Sequence, residues 1–432
     1  MDYGNWPARY GNPAWFVHDR FGMFIHWGLY AAAARHEWVM NREKIHPDAY
    51  RRYFETFHPD LYDPRAWARA ARQAGMKYMV VTSKHHEGFA LWDSRLTGYK
   101  ATCTPAGRDL LRPLLDAFRE EGLKVGLYHS LIDWHHPDFP VDGLHPLRDD
   151  EKARAQNANR DMRRYREYLH GQVRELLTDY GKIDYMWFDF SYPHMDWGWS
   201  RAKGAADWRS EELKELVLSL QPDILLNDRL DLGRGVRTPE QYQPSGPLLQ
   251  DGRPLVWEAC QTLNGSWGYD RDNHDYKSVD TLVKMLADTV AKGGNLLLNV
   301  GPTARGEFDG RALASLDGIG RWLRAHGRSI YGAGPGEWPA PADCRYTQRG
   351  DRLYLHVFSW PYRHVHLRGL SGRVRHAQFL HDASEIRFVE HTGRRADSPV
   401  DVAEEAGTVT LELPVQKPDA AVPVVELFLS TP

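Results

Sequence analysis

The chain has 432 residues and a mass of 49.7 kDa, too long for one ordinary compact domain. It is long enough for two or three units, or for one large α/β barrel with an addition. With 55 Lys and Arg against 58 Asp and Glu, the net charge is −3, which excludes the basic excess of a polyanion binder. The 42% hydrophobic and 26% charged content excludes a disordered chain, and no apolar run approaches the ~20 residues of a membrane helix.

The N-terminus, MDYGNWPARYGNP, has neither a basic n-region nor an apolar h-region. The expectation is a cytoplasmic protein if that terminus is native, and a secreted or periplasmic one if a leader has been removed. From there, short apolar runs alternate with amphipathic stretches. GMFIHWG (22–28) predicts a buried strand, and 47–57 and 64–74 predict helices, the second opened by Asp63-Pro64. Strands are predicted over 76–85 and 123–131, with a helix over 109–121 between them. A polar insertion covers about 135–158. A long helix over 159–180 follows, with Tyr165, Leu169, Val173 and Leu176 as its buried stripe and Asp161, Arg164, Tyr168 and Gln172 as polar members. Strands at 184–190, 224–228, 255–262 and 295–302 alternate with helices at 209–220, 278–292 and 310–326.

Strand-then-helix repetition predicts a parallel sheet. The count is seven strands, with no convincing helix between 228 and 255. A (β/α)8-like barrel with degenerate elements fits best, and a doubly wound open sheet is the alternative. After Gly334-Pro335-Gly336 the texture changes to about six short alternating runs punctuated by Gly, Pro, Asp and Ser. This predicts a catalytic barrel over 1–335 and an antiparallel β-sandwich accessory domain over 336–432.

Cys103, Cys260 and Cys344 cannot form a disulfide framework, and none sits in a C-x-x-C pair, so a zinc ribbon or redox motif is excluded. There is no P-loop, dinucleotide fingerprint or G-x-S-x-G elbow. The polar residues instead gather where strands end, which is the catalytic rim of a barrel. They are His26, Lys84-His85-His86-Glu87, Tyr128-His129, Asp133-Trp134-His135-His136, Asp189 and Asn227-Asp228-Arg229, with Glu258 inside the sixth strand. Asp189 stands out because apolar residues surround it, so it must be desolvated unless it faces a cleft. The histidines allow two readings. His85, His86, His129, His135 and Asp189 could hold a metal, although His85 and His86 would face opposite ways if both stayed on a strand. Alternatively, neutral imidazoles offer one donor and one acceptor each, which suits sugar hydroxyls. Aromatics, 12% of the chain and often beside His, Asp or Glu, could stack on a sugar's apolar face.

An ordered set of motifs carries a resemblance: Phe21-Gly22-Met23-Phe24-Ile25-His26-Trp27-Gly28, Glu37-Trp38, Lys84-His85-His86-Glu87-Gly88-Phe89, Trp187-Phe188-Asp189, Asn227-Asp228-Arg229, Ser266-Trp267-Gly268-Tyr269 and the run 293–302. Together they resemble the retaining α-L-fucosidases of glycoside hydrolase family 29. The resemblance spans about 15–335, and the tail is similar to the family's β-sandwich. It implies Asp189 as nucleophile and His26, Glu37, Trp38, His85, His86, Trp187, Arg229 and Trp267 as fucose-binding residues. It also implies a sugar-binding tyrosine at the end of the third strand, leaving Tyr128 and His129 both in play. The acid/base that it implies is a Glu, best matched by Glu240 in Thr238-Pro239-Glu240-Gln241-Tyr242, with Glu258 as the rival.

Cleaving a glycosidic bond with retention needs one ionised carboxyl to attack and one protonated carboxyl to assist departure. The implied activity is that of an exo-acting retaining α-L-fucosidase, working through a fucosyl-Asp189 intermediate on a fucosylated oligosaccharide or glycoconjugate. It requires no metal or other cofactor, no nucleic acid and no membrane. The alternatives are a metal-dependent barrel hydrolase using the histidines, and a fucose-binding protein that has lost turnover.

Overall fold

A computed structural model describes residues 3–391 and 405–430. The outermost residues of both expected domains, and 392–404 within the second, lie outside the described residues. Seven parallel strands form the central sheet: β1 (Phe21–Ile25), β2 (Tyr78–Lys84), β3 (Lys124–Ser130), β4 (Tyr185–Asp189), β5 (Leu225–Leu226), β6 (Glu258–Thr262) and β7 (Asn295–Val300). Their order is β5-β4-β3-β2-β1-β7-β6, so the sequence-adjacent pair β5 and β6 form the two edges. The sheet nevertheless closes. Residues 236–241 run parallel between the edges, bridged by Asn227 with Val236, Arg237 with Trp257 and Glu240 with Cys260. Val236 N–H donates to the Leu226 carbonyl, Glu258 N–H to the Arg237 carbonyl and Gln241 N–H to the Cys260 carbonyl. This segment is the eighth, degenerate stave that the count of seven omitted. Pro239 removes a donor from it and its side chains are mostly polar, so no apolar run marks it.

The helices answer the apolar periodicity closely. Pro47–Thr56, Pro64–Gln73, Leu111–Glu120, Met162–Asp179, Ser210–Leu220, Val279–Ala291 and Gly310–His326 lie on the outside of the sheet. Asp63, Asp161, Ser278 and Asp309 cap four of them through side-chain oxygens. Tyr165, Leu169, Val173 and Leu176 are all buried. Gln172, read as a polar-face residue, is buried too, with its amide donating to Tyr168 Oη at 2.8 Å. The polar insertion holds a short helix, Glu151–Ala155.

Alternation divides each strand between two cores. Side chains facing the helices join the main cluster. The barrel interior is a second cluster that includes Phe24, Tyr78, Val80, Tyr128, Tyr185, Trp187, Leu225, Val236, Cys260 and Leu297. The tail forms two antiparallel sheets. One joins Gly334–Pro335, Cys344–Arg349, Arg352–Val357, Val424–Leu429 and Val374–Phe379, and the other His364–Leu367, Val409–Glu412 and Arg387–Glu390. Leu353, Leu355, Leu367, Leu411, Val425 and Leu427 fill the core between them. The sandwich docks on the barrel through Arg345 Nε to Asp288 Oδ1 (2.5 Å) and Trp322 Nε1 to the Val422 carbonyl (2.7 Å).

Candidate active site

Inward-facing residues at the strand ends meet in a small recess lined by Phe24, His26, Trp38, His85, His86, Tyr128, Trp187, Asp189, Phe190, Glu240, Cys260 and Trp267. The alternation that puts Tyr185 and Trp187 inside the barrel brings Asp189 to its mouth. Its carboxylate accepts from Arg229 Nη1 at 3.0 Å and from Tyr128 Oη at 2.7 Å. Burial pushes Asp189 up to about 6, opposed by the Arg229 cation and assisted by repulsion from Glu240. Phe190, directly after it, holds a left-handed backbone, φ 80°, and lines the recess.

Arg229 is the centre of the electrostatics. Its Nη2 donates to Glu240 Oε2 at 3.0 Å and to the Thr238 carbonyl at 3.0 Å, and its Nε donates to Thr238 Oγ1 at 2.8 Å. Thr238 Oγ1 donates in turn to Asp228 Oδ1. The guanidinium lies 5.0 Å from the Trp187 ring, which stacks on Tyr128. One cation therefore touches both carboxyls. Glu240 is the partly exposed one, at the end of the eighth stave and facing inward like Val236 and Thr238 before it.

The histidines are held neutral. Burial lowers His26 to about 3 and drives His85 and His86 well below the usual imidazole range. His26 Nδ1 meets Asn299 Oδ1 at 2.7 Å, and Asn299 Nδ2 donates to the Trp267 carbonyl. His86 Nδ1 meets Ser130 Oγ at 2.7 Å. His85 Nδ1 is buried without a partner. β2 ends at Lys84, so strand alternation no longer governs the next two residues. His85 and His86 lie side by side, ring centroids 3.9 Å apart, and both line the recess.

Other sequence candidates fall elsewhere. His129 is on the far face of β3 from Tyr128, where Ser83 Oγ meets its Nδ1 at 2.9 Å. Of that pair, only Tyr128 lines the recess. Glu258 is fully buried below the recess, and every oxygen is occupied. Tyr185 Oη and Trp187 Nε1 donate to Oε1, and Tyr78 Oη donates to Oε2. Without access to the recess, Glu258 cannot deliver a proton to a bound substrate, which corrects its candidacy as the acid/base. Glu37 accepts from the backbone N–H groups of Trp267 and Gly268 and so sets the Trp267 loop. His135 stacks on Tyr99, and Lys84 pairs with Asp133 in the core. Among the described residues, no three or more His, Cys, Asp or Glu converge as a metal-binding group. Sequence reading missed Phe190, Cys260, Thr238 and Asn299 as parts of the site. Two carried a signal, Asn299 by its place in the 293–302 run and Thr238 by its place in the stretch around Glu240.

A barrel with its recess at the strand ends, two carboxyls sharing one cation, and neutral imidazoles and aromatic faces around them defines a glycoside-hydrolase type of site. The comparisons identify which kind. The alpha-L-fucosidase family model matches residues 6–328. The tissue alpha-L-fucosidase of Bos taurus is 30% identical over 83% of this chain and 77% of its own length. Alpha-L-fucosidase isoenzyme 1 from Paenibacillus thiaminolyticus is 46% identical with a TM-score of 0.90, covering 97% of this chain and 99% of that one. A trapped covalent intermediate of a GH29 alpha-L-fucosidase from Bacteroides thetaiotaomicron, with 2-fluoro-fucosyl fluoride, is 26% identical with a TM-score of 0.83, covering 100% of this chain and 98% of that one. The chain belongs to the alpha-L-fucosidase family.

Proposed function

We propose that this enzyme removes terminal α-L-fucosyl groups by double displacement, with Asp189 as nucleophile and Glu240 as acid/base. The observation that carries the reading is the Arg229 bridge between the two carboxyls. The Arg229 and Tyr128 donors keep Asp189 ready to attack as an anion, against the cost of its burial. Asp189 attacks the anomeric carbon while Glu240 protonates the departing oxygen. Repulsion from Glu240 raises Asp189. Forming the ester consumes the Asp189 charge and lifts that repulsion, and Glu240 then takes the proton of the attacking water. The Bacteroides thetaiotaomicron trapped intermediate supports a covalent route. The small recess supports exo action on one terminal sugar. His26, His85 and His86, being neutral, are suited to donate to and accept from sugar hydroxyls, with Trp38, Trp187 and Trp267 packing against its carbons.

The test is turnover of an aryl α-L-fucoside by wild type, Asp189→Ala and Glu240→Ala, with and without azide. Wild type should turn over and Asp189→Ala should not. Azide should restore Glu240→Ala, since a small anion attacks the ester without base assistance. Unimpaired turnover by Asp189→Ala would end the assignment.

A further inference from the structure

Each of the two carboxyls is followed by a non-glycine residue with left-handed backbone: Phe190, φ 80°, after Asp189, and Gln241, φ 49°, after Glu240. Such conformations persist only where their surroundings hold them, and they concentrate at functional sites. For Phe190 the consequence is a place in the wall of the recess beside Asp189. For Gln241 it is a clamp. The backbone N–H donates to the Cys260 carbonyl at 3.0 Å, the last ladder bond of the eighth stave. The side chain then continues the ladder by one more step. Its Oε1 accepts from the backbone N–H of Thr262 at 3.3 Å, and its Nε2 donates to Thr262 Oγ1 at 2.7 Å.

The amide thus takes the ladder position that the backbone of a longer strand would fill, while the chain itself turns away to an exposed Tyr242. Glu240 sits between Pro239, which has no N–H to give, and this clamp. Its side chain is exposed and its carboxyl has Arg229 as its hydrogen-bond donor. The Cys260 N–H donates to the Pro239 carbonyl at 3.1 Å and fixes the Glu240 backbone on one side, and the two-point attachment of the Gln241 side chain to Thr262 reinforces it on the other. Thr262 Oγ1 also accepts from Gly265 N–H at 2.7 Å, so the same anchor holds the start of the loop that carries Trp267.

We propose that Gln241 is a positioning residue for Glu240, a role that rests on the acid/base reading of Glu240. Displacing a general acid by even an ångström costs rate in proportion to how much the leaving group needs its proton. The readout is kcat/KM over a series of aryl α-L-fucosides, from dinitrophenyl to unsubstituted phenyl leaving groups, for wild type, Gln241→Ala, Gln241→Gly and Glu240→Gln. Gln241→Gly relieves the left-handed strain while removing the clamp, so it keeps the test open if the Ala variant folds poorly. Both Gln241 variants should lose about 10–100-fold on phenyl fucoside and only about threefold on the dinitrophenyl substrate, steepening the dependence on leaving-group acidity. A uniform loss across the series in the Gln241 variants, with Glu240→Gln steepened, would leave Gln241 a structural residue and overturn the proposal. An unsteepened Glu240→Gln would overturn the acid/base reading itself, and the proposal with it.

Discussion

Two buried carboxyls stand one layer apart in the barrel and differ in every respect that matters to chemistry. Asp189, at the end of β4, is at the mouth, and Glu258, on β6, is inside, held by the β4 side chains Tyr185 and Trp187. Burial raises both, Asp189 to about 6 and Glu258 to about 7. Asp189 faces a recess and answers a cation. Glu258 answers only neutral hydrogen-bond donors, Tyr78, Tyr185 and Trp187, with no lone face left for a substrate. Burial alone therefore does not mark a catalytic carboxyl. A cation on one side and an opening on the other do.

The contrast can be broken at four points. The largest effect belongs to Asp189→Ala, with roughly a 10^4-fold loss of kcat on any fucoside, the scale of losing a catalytic nucleophile or its partner. Glu240→Gln follows, at about 10^2–10^3-fold on phenyl fucoside, measured as kcat/KM. Third is pH. As the proposed nucleophile, Asp189 must be ionised to attack, so wild-type kcat/KM should fall as pH drops below about 6. Arg229 favours the anion, so Arg229→Gln should move that acid limb to higher pH by about one unit, seen in the pH–rate profile. The smallest catalytic effect belongs to Glu258→Gln, with a loss of about tenfold or less and an unchanged acid limb. Its signature is in stability. Glu258 titrates higher folded (about 7) than unfolded (4.5), so its stabilisation is fully present below pH 4.5 and is lost as pH rises to about 7. Denaturant midpoints should therefore favour wild type over Glu258→Gln most strongly at acid pH, with the gap narrowing towards neutrality.

The barrel was legible because its helices have apolar stripes and its strands are continuous apolar runs. The stripe of Tyr165, Leu169, Val173 and Leu176 is buried as its spacing predicted. The eighth stave was not legible, since 236–241 is short, mostly polar and interrupted by a proline, with two ladder bonds to β5 and four to β6, and none of this leaves a periodic trace. The choice between Tyr128 and His129 turned on register, which residue types alone do not encode. Once Tyr128 pairs with Trp187 across the sheet, its neighbour must face the helices. His85 and His86 defied the alternation rule because β2 stops one residue before them. Glu258 looked like a catalytic rival because three donors from two other strands, absent from its local sequence, occupy it.

Covalent trapping reads out whether Asp189 forms the bond to the sugar. The enzyme would be incubated with a fluorinated fucosyl donor that reacts with the nucleophile and turns over slowly, digested, and mapped by mass spectrometry. The account predicts one fucosyl adduct, on the peptide containing Asp189 and absent in Asp189→Ala. An adduct on a peptide lacking Asp189 would contradict it.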